Sequence, residues 1–298
     1  RPGGIGEDEG EALAAIAAPV TLDMATAECS VGDARKVAAC RGDFALESSA
    51  MKHRWQRITG IAVSTLATIA LAGSLSLVGV VDPVPQAQAA TPSDEGVSVS
   101  TEPWLTFTPA EPSDTGLIFY PGGRVEPEAY TTPLQAIAAD GYITIVPNMP
   151  FGLAVLAPDT ADEIVEAFPD IERWVIGGHS LGGAMAAQYT AENEGIDGLA
   201  LWAAYPPADV DLSAAPITAT SIYATEDGLT SLAEIEASRA QLPPDTDFVE
   251  IDGGNHAGFG SYGEQDGDGV ATINPEEQQA QVVAAMVELL QQVEAPAS

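Results

Sequence analysis

The sequence predicts an α/β protein with a mostly parallel central sheet, helices on both faces and no large cap domain. From residue 98 onward, short apolar segments of strand length alternate with segments of helical periodicity. Alternation of this kind joins parallel strands through crossover helices, which cover both faces of the sheet. We therefore predict one domain over residues 98–298.

Seven apolar runs are predicted as strands, of which the first is an imperfect strand pattern. They cover residues 98–108, 116–120, 142–147, 173–179, 198–205, 217–225 and 247–252. Helical periodicity is found in four segments between them and in a closing amphipathic segment. These predicted helices cover residues 127–139, 161–168, 181–192, 231–241 and 275–292.

Residues 51–89 have the pattern of a secretory signal peptide. Three basic residues at 52–57 precede an uncharged apolar stretch at 58–81, and Ala-Gln-Ala at 87–89 forms a small-x-small cleavage pattern. The apolar stretch is also long enough to span a bilayer, so a retained membrane anchor is the alternative. We expect cleavage at the end of this segment and a secreted or extracellular protein.

The two segments that flank the signal pattern are not expected to contribute to the fold. The chain opens with Arg1, whereas Met51 and its basic neighbours look like a natural start. Our hypothesis is that residues 1–50 are a non-native or unstructured extension, with a small regulatory prodomain as the alternative. Residues 90–97, with Thr, Pro, Ser, Asp and Gly, are predicted to be a linker.

The charge of the chain is concentrated in the predicted domain. The formal net charge is -34, and from residue 90 onward 34 acidic residues face only three cations, Arg124, Arg173 and Arg239. Such a surface repels nucleic acid and anionic lipid. We therefore expect no nucleic-acid partner, and a membrane partner only if the segment 58–81 is retained.

Both cysteines, Cys29 and Cys40, precede the predicted domain. This position excludes a disulfide, a cysteine nucleophile and a thiolate metal site within the domain. We predict neither a metal nor a cofactor.

A G-x-S-x-G motif at residues 178–182 carries the main chemical signal of the sequence. Its serine, Ser180, directly follows a predicted strand and directly precedes a predicted helix. A sharp strand-to-helix turn needs backbone room on both sides, which Gly178 and Gly182 supply because they lack a Cβ. The helix would aim its N-terminal amides at the negative charge that develops during acyl transfer. Ser180 is therefore the predicted nucleophile.

A serine nucleophile needs a general base, and histidine is the usual one. After residue 90 the chain has only two histidines, His179 and His256. The tight turn is expected to point the ring of His179 away from the adjacent Ser180. His256, in the glycine-rich loop after the last predicted strand, is therefore the predicted base.

The third catalytic group should be a carboxylate that orients the imidazole. The segment "SIYATEDGL" offers Glu226 and Asp227 at the end of a predicted strand. We predict Asp227, because the following glycine makes a turn that presents its side chain, and Glu226 is the alternative. Both could instead be solvated turn carboxylates of an acidic protein.

Two backbone N–H groups are needed to stabilise the oxyanion. One is predicted to come from Leu181, the residue after the nucleophile. The other is predicted to come from the loop "PGGRVEPEAY", where Gly123 is the first choice and Arg124 the next.

The order Ser180, Asp227, His256 and the segments "YPGGRVEPEAY", "GGHSLGGAMAA" and "GGNHAGFG" resemble the α/β-hydrolase superfamily. The chain is similar in particular to its compact branch of dienelactone hydrolases, over residues 99–292. The resemblance implies the α/β-hydrolase fold and hydrolysis of esters. Dienelactone hydrolases use a cysteine nucleophile, so their lactone substrate is not implied, and Pro121 replaces the histidine that many relatives have in the oxyanion loop.

Three features bear on the substrate. Only eleven residues separate the predicted strands that end at Tyr205 and begin at Ile217, which is too short for a cap domain. The apolar loop at 147–158 holds Met149, Phe151 and Leu153, which could line an acyl pocket or simply pack under the loop. Arg124 could bind a substrate carboxylate, but pairing with Glu126 or Glu128 on the surface is the favoured alternative.

The sequence therefore predicts a secreted serine hydrolase that acts on small-molecule carboxylic esters. An acyltransferase with the same three catalytic residues is the first alternative. A binding protein that has kept a hydrolase scaffold without activity is the second.

Overall fold

The computed structural model of the protein describes residues 96–295. The predicted N-terminal extension, the signal segment and most of the predicted linker lie outside the described residues. The first described strand begins at Val97, the last residue of the predicted linker, which is buried and pairs with Pro109.

Eight strands form one sheet, in the order β1-β2-β4-β3-β5-β6-β7-β8. The pairs β1·β2 and β2·β4 are antiparallel, and all the others are parallel. The strands are β1 Val97–Ser100, β2 Leu105–Pro109, β3 Thr115–Tyr120, β4 Ile143–Val146, β5 Arg173–His179, β6 Gly198–Trp202, β7 Thr218–Ala224 and β8 Asp247–Ile251. The predicted parallel sheet is confirmed.

The segment 98–108, predicted as one strand, is an antiparallel pair of strands. Pro103 lies between them and has no N–H for a continuous ladder. The chain therefore turns back, and β2 pairs with β1 on one side and with β4 on the other.

The helices of the described chain follow the predicted segments closely. Two of the predicted helices contain a short 3₁₀ turn, at Pro127–Tyr130 before the α-helix and at Arg239–Gln241 after it. A capping box formed by Ser231 and Glu234 begins the fourth helix, and Asn274 caps the fifth. The α-helices are α1 Thr131–Ala139, α2 Thr160–Ala167, α3 Leu181–Glu192, α4 Leu232–Ser238 and α5 Pro275–Glu294.

Alternate residues of the parallel strands point to two separate cores. Leu117 and Phe119 pack with α1 and α5 on one face, whereas Ile118 and Tyr120 pack with α2 and α3 on the other. This alternation follows from the two-residue period of a strand. Both faces of the sheet are therefore covered by helices, as predicted.

The carboxyl ends of the parallel strands lie at one edge of the sheet, where ligands bind in folds of this kind. The loops after β3, β5, β7 and β8 are all on this edge. Within residues 96–295 the connection between β6 and β7 holds no inserted domain, so no large cap covers this edge. No helix of that range is long and apolar enough to cross a membrane.

Candidate active site

Ser180 lies on the sharp turn between β5 and α3. Its backbone has φ 53° and ψ -122°, a region that residues other than glycine rarely adopt. Such a conformation costs roughly 1–3 kcal/mol and is characteristic of functional sites. The N–H of Ser180 donates to the carbonyl of Trp202 at 2.9 Å, which ties the turn to β6.

The two glycines of the motif provide the backbone room that the sequence predicted. A Cβ on Gly178 would lie 2.5 Å from the carbonyl carbon of Gly182 and 2.7 Å from the carbonyl oxygen of Tyr120. A Cβ on Gly182 would overlap the carbonyl oxygens of Tyr120 and Pro121. A side chain at either position would therefore push β3 and α3 apart and displace the turn that carries Ser180.

Asp227 and His256 form a hydrogen-bonded pair at the same edge. Oδ2 of Asp227 lies 2.8 Å from Nδ1 of His256, and both side chains are only 1% exposed. Oδ1 of Asp227 accepts hydrogen bonds from the N–H groups of Leu229 and Thr230, at 2.8 and 2.7 Å. Neighbouring amides therefore hold the carboxylate, which fixes the orientation of the imidazole.

The other carboxylate considered from the sequence, Glu226, is exposed. Its backbone N–H donates to the carbonyl of Gly254, so it contributes to joining the two loops through its main chain. The structure therefore brings Asp227, rather than Glu226, to His256.

Nε2 of His256 is buried and has no hydrogen-bond partner among residues 96–295. The structure therefore contains no hydrogen bond between this atom and Oγ of Ser180. Hydrogen bonds of catalytic groups are often long in free enzymes and shorten when substrate binds. With Nδ1 directed at Asp227, Nε2 is the nitrogen that remains to accept a proton.

The two predicted oxyanion donors belong to adjacent segments. Pairing of Tyr120 with Gly178 places the loop after β3 beside the turn after β5. A Cβ on Gly123 would lie 3.3 Å from Cδ2 of Leu181, so the two residues are in contact. The N–H of Arg124, the next choice from the sequence, donates to the carbonyl of Gly152 at 2.6 Å. Gly123 therefore remains a better candidate than Arg124 for the second oxyanion donor.

A buried tyrosine and a buried histidine support this loop, and the sequence analysis missed the first of them. The hydroxyl of Tyr130 accepts a hydrogen bond from the N–H of Gly122 at 3.0 Å and lies 2.9 Å from Nδ1 of His179. Burial raises the pKa of Tyr130 far above its usual range, so its hydroxyl keeps its proton. The hydroxyl can donate that proton to Nδ1 of His179 only if the imidazole is neutral, because a protonated imidazole has no acceptor nitrogen.

His179 lies against the ring of His256, with 4.5 Å between the ring centroids. Burial, followed by the nearby charge of His256, holds the pKa of His179 well below its usual value. A neutral His179 fits the hydrogen bond from Tyr130. The structure thus places the ring of His179 beside the turn, in a hydrogen bond with Tyr130.

The loop after β4 lies next to the loop after β3, because the carbonyl of Gly152 accepts a hydrogen bond from the N–H of Arg124. Its Phe151 is 83% exposed and has φ 55°, which is unusual for an aromatic residue. Met149 is buried in the core under the same loop. The packing that the sequence left open therefore applies to Met149 and not to Phe151, whose ring faces solvent.

Asp268 is a further residue that the sequence analysis missed. It lies in the loop after β8, where acidic and glycine residues resemble those elsewhere in this acidic chain. Nothing in that pattern distinguishes it from an ordinary solvated carboxylate. Its hydrogen bonds to the loops that carry Asp227 and His256 are visible only in the structure.

Among residues 96–295, no group of three or more His, Cys, Asp and Glu side chains is arranged so that it could hold a metal ion.

The sequence from 116 to 280 matches the profile of the alpha/beta hydrolase family. This match covers more than half of the chain, and the chain therefore belongs to the alpha/beta hydrolase family. The family assignment supports a hydrolase. No curated protein matches the chain.

Solved structures similar to the chain include several hydrolases. The esterase domain of a Rhodothermus marinus protein is 14% identical, with a TM-score of 0.47 over 61% of this chain and 90% of that one. A monoacylglycerol lipase from Paleococcus ferrophilus is 15% identical, with a TM-score of 0.48 over 64% and 98%. A Pyrococcus furiosus esterase is 14% identical, with a TM-score of 0.44 over 67% and 88%.

Proposed function

We propose that the protein is a serine hydrolase that cleaves carboxylic esters through an acyl-enzyme intermediate. The observation that carries the proposal is the buried Asp227–His256 pair at the sheet edge where Ser180 adopts its strained turn. Ser180 would be the nucleophile, His256 the base and Asp227 the group that orients the base.

In the first half of the reaction, Oγ of Ser180 attacks the carbonyl carbon of the ester and its proton moves to Nε2 of His256. The tetrahedral intermediate then expels the alcohol, which takes that proton. In the second half, water attacks the acyl-enzyme while His256 accepts one of its protons. Release of the carboxylic acid returns the proton to Ser180.

The oxyanion of both tetrahedral intermediates is proposed to be bound by the N–H groups of Gly123 and Leu181. The contact between these two residues supports this role, because both donors must reach one oxygen atom. Leu181 is also the first residue of α3, and the partial positive charge of the helix N-terminus would add to the stabilisation.

The experiment that tests the function uses a fluorophosphonate probe and p-nitrophenyl esters of short and longer acyl chains. We expect wild type to be labelled and to release free acid, and His256→Ala to hydrolyse the esters at a small fraction of the wild-type rate. Wild-type protein that is neither labelled nor active on any of these esters would contradict the proposal.

Loss of the Tyr130 hydroxyl is expected to lower kcat. In Tyr130→Phe the buried N–H of Gly122 and Nδ1 of His179 lose their partner, which costs about 1–3 kcal/mol. Because Gly122 precedes the proposed oxyanion donor, we expect kcat to fall about tenfold with KM little changed. Steady-state kinetics and thermal unfolding measure both effects.

Tyr142→Phe is the matched control for this prediction. It also removes a hydroxyl hydrogen bond, to Glu294, but at the amino end of β4. If both variants lose stability and neither loses kcat, Tyr130 has no role in the oxyanion loop.

Phe151 and Arg124 are proposed to contact the substrate. The exposed ring of Phe151 is held by a loop whose Gly152 carbonyl accepts the N–H of Arg124, the residue next to Gly123. A Cβ on Gly152 would lie 2.9 Å from the Cα of Arg124, so the loops are in direct backbone contact. From this position, the ring of Phe151 could contact an apolar group of the substrate next to the scissile ester. The guanidinium of Arg124 could bind a carboxylate on the substrate.

Phe151→Ala is expected to raise KM for the longer-chain ester about tenfold and to leave KM for the acetate ester nearly unchanged. About 1–2 kcal/mol of apolar contact would be lost only when the acyl chain reaches the ring. Leu156→Ala, in the same loop and half exposed, is the control. Equal effects on both substrates, or equal effects in both variants, would exclude a specific contact.

We also propose that the enzyme acts outside the cell. The basic, apolar and small-x-small pattern at 52–89 supports export, and the high acidity of the domain suits an extracellular medium. N-terminal sequencing of protein recovered from the culture medium should begin at Ala90. Activity found only in the membrane fraction would favour the retained anchor.

A further inference from the structure

The side chain of Asp268 accepts hydrogen bonds from four backbone N–H groups. Oδ1 accepts from Gly228, His256 and Gly269 at 3.1, 3.1 and 2.7 Å, and Oδ2 accepts from Ala257 at 2.8 Å. Asp268 is partly buried, and it lies in the loop that connects the His256 segment to α5.

Three of the four donors belong to the two loop segments that carry the Asp227–His256 pair. Gly228 directly follows Asp227, and the other two loop donors are His256 itself and its neighbour Ala257. One oxygen atom, Oδ1, therefore joins the backbone beside the carboxylate to the backbone of the imidazole. Hydrogen bonds to a charged acceptor are about twice as strong as neutral ones.

The segment around Asp268 is packed against both the Asp227 loop and the His256 loop. A Cβ on Gly228 would lie 2.7 Å from the nitrogen of Gly269, so the two backbones are in direct contact. On the other side, Nδ2 of Asn255 donates to the carbonyl of Gly269 at 2.8 Å. The carboxylate is thus held from both sides and has little freedom to move.

We propose that Asp268 is a positioning residue, which keeps Asp227 and His256 aligned with each other by accepting hydrogen bonds from the backbones of both their loops. The inference rests on the proposed function, because it concerns the alignment of the proposed base. A displacement of about 1 Å in a catalytic group can lower a rate about 100-fold. Removal of Asp268 should therefore slow the chemical steps and leave substrate binding nearly unchanged.

The loops should stay attached without this carboxylate. The N–H of Glu226 donates to the carbonyl of Gly254 at 2.9 Å, and the N–H of Gly253 donates to Oγ1 of Thr225 at 2.8 Å. These bonds join the same two loops closer to β7 and β8. We therefore expect Asp268→Ala to fold.

The test measures kcat and KM for p-nitrophenyl acetate, with the concentration of active sites set by fluorophosphonate titration. For Asp268→Ala we expect kcat per titrated site to fall about 10- to 100-fold and KM to change less than about twofold. The kcat of Asp268→Asn should lie between those of wild type and Asp268→Ala. The side-chain oxygen of asparagine can keep the three bonds that Oδ1 accepts, whereas its NH₂ group would face the N–H of Ala257 and cannot accept a hydrogen bond from it.

Asp266→Ala is the matched control, since Asp266 is exposed in the same loop and the variant loses the same charge. Its kcat should equal that of wild type. A kcat per titrated site of Asp268→Ala within about twofold of wild type would overturn the positioning role, even if the variant were less stable. If Asp268→Ala does not fold, a kcat per titrated site of Asp268→Asn within about twofold of wild type would overturn the positioning role instead.

Failure of the positioning role can be distinguished from failure of the proposed function. Active, labelled wild type together with unimpaired Asp268 variants overturns the role of Asp268 alone. A wild type that is neither labelled nor active overturns both proposals, because there would be no catalytic pair to position.

Discussion

Replacing Ser180 by alanine is expected to lower kcat for ester hydrolysis about 10⁴-fold or more and to abolish fluorophosphonate labelling. Without Oγ there is no atom to form the acyl-enzyme. The imidazole of His256 and the oxyanion donors would remain, and they alone give only weak catalysis by water. Hydrolysis of p-nitrophenyl acetate and labelling of the same preparation measure the two effects.

The fold of this variant should be preserved, because alanine keeps the Cβ of serine and meets the same strain at φ 53°. Ser221→Ala is a suitable control, since the hydroxyl of Ser221 is buried in β7 and has no hydrogen-bond partner among residues 96–295. We expect that variant to keep wild-type activity. Near-normal hydrolysis by Ser180→Ala would show that the nucleophile lies elsewhere.

Replacing Asp227 by asparagine is expected to lower kcat about 10⁴-fold with little change in fold. An asparagine can still accept the N–H groups of Leu229 and Thr230 through its oxygen. Its amide nitrogen would then face Nδ1 of His256 as a donor. The imidazole would have to carry its proton on Nε2, where it could not accept the proton of Ser180.

Glu226→Gln tests the assignment of the carboxylate directly. Glu226 is adjacent in sequence and has the same charge, but its side chain is exposed. We expect this variant to keep nearly full activity across the pH range. If Glu226→Gln lost as much activity as Asp227→Asn, orientation of the imidazole by Asp227 alone would not explain catalysis.

Much of the fold was predictable, because local patterns reflect the final environment of each segment. The alternation of apolar runs and helical segments predicted the parallel sheet, and α3 was predicted with its observed limits. The segment 98–108 was wrongly predicted as one strand, although Pro103 inside it is a local signal against a continuous strand. The pairing of β2 with both β1 and β4 is a long-range feature that local patterns do not encode.

The candidate site was predictable to the extent that its chemistry depends on scarce residues. The domain has two histidines and one G-x-S-x-G motif, so few assignments were possible. The choice between Glu226 and Asp227 was harder, because carboxylates are abundant throughout this domain. Burial and the contact with Nδ1 of His256 distinguish them, and both arise from packing between β7 and β8.

The sequence by itself determined the class of fold, the order of the three candidate catalytic residues and the need for glycine at the turn. These features depend on short-range periodicity, residue type and backbone sterics. Only the tertiary structure decided that the hydroxyl of Tyr130 bonds to Gly122 in the loop after β3 and that Asp268 joins the Asp227 and His256 loops. Both residues act through backbone N–H groups that are distant in sequence, and local sequence patterns do not encode such partners.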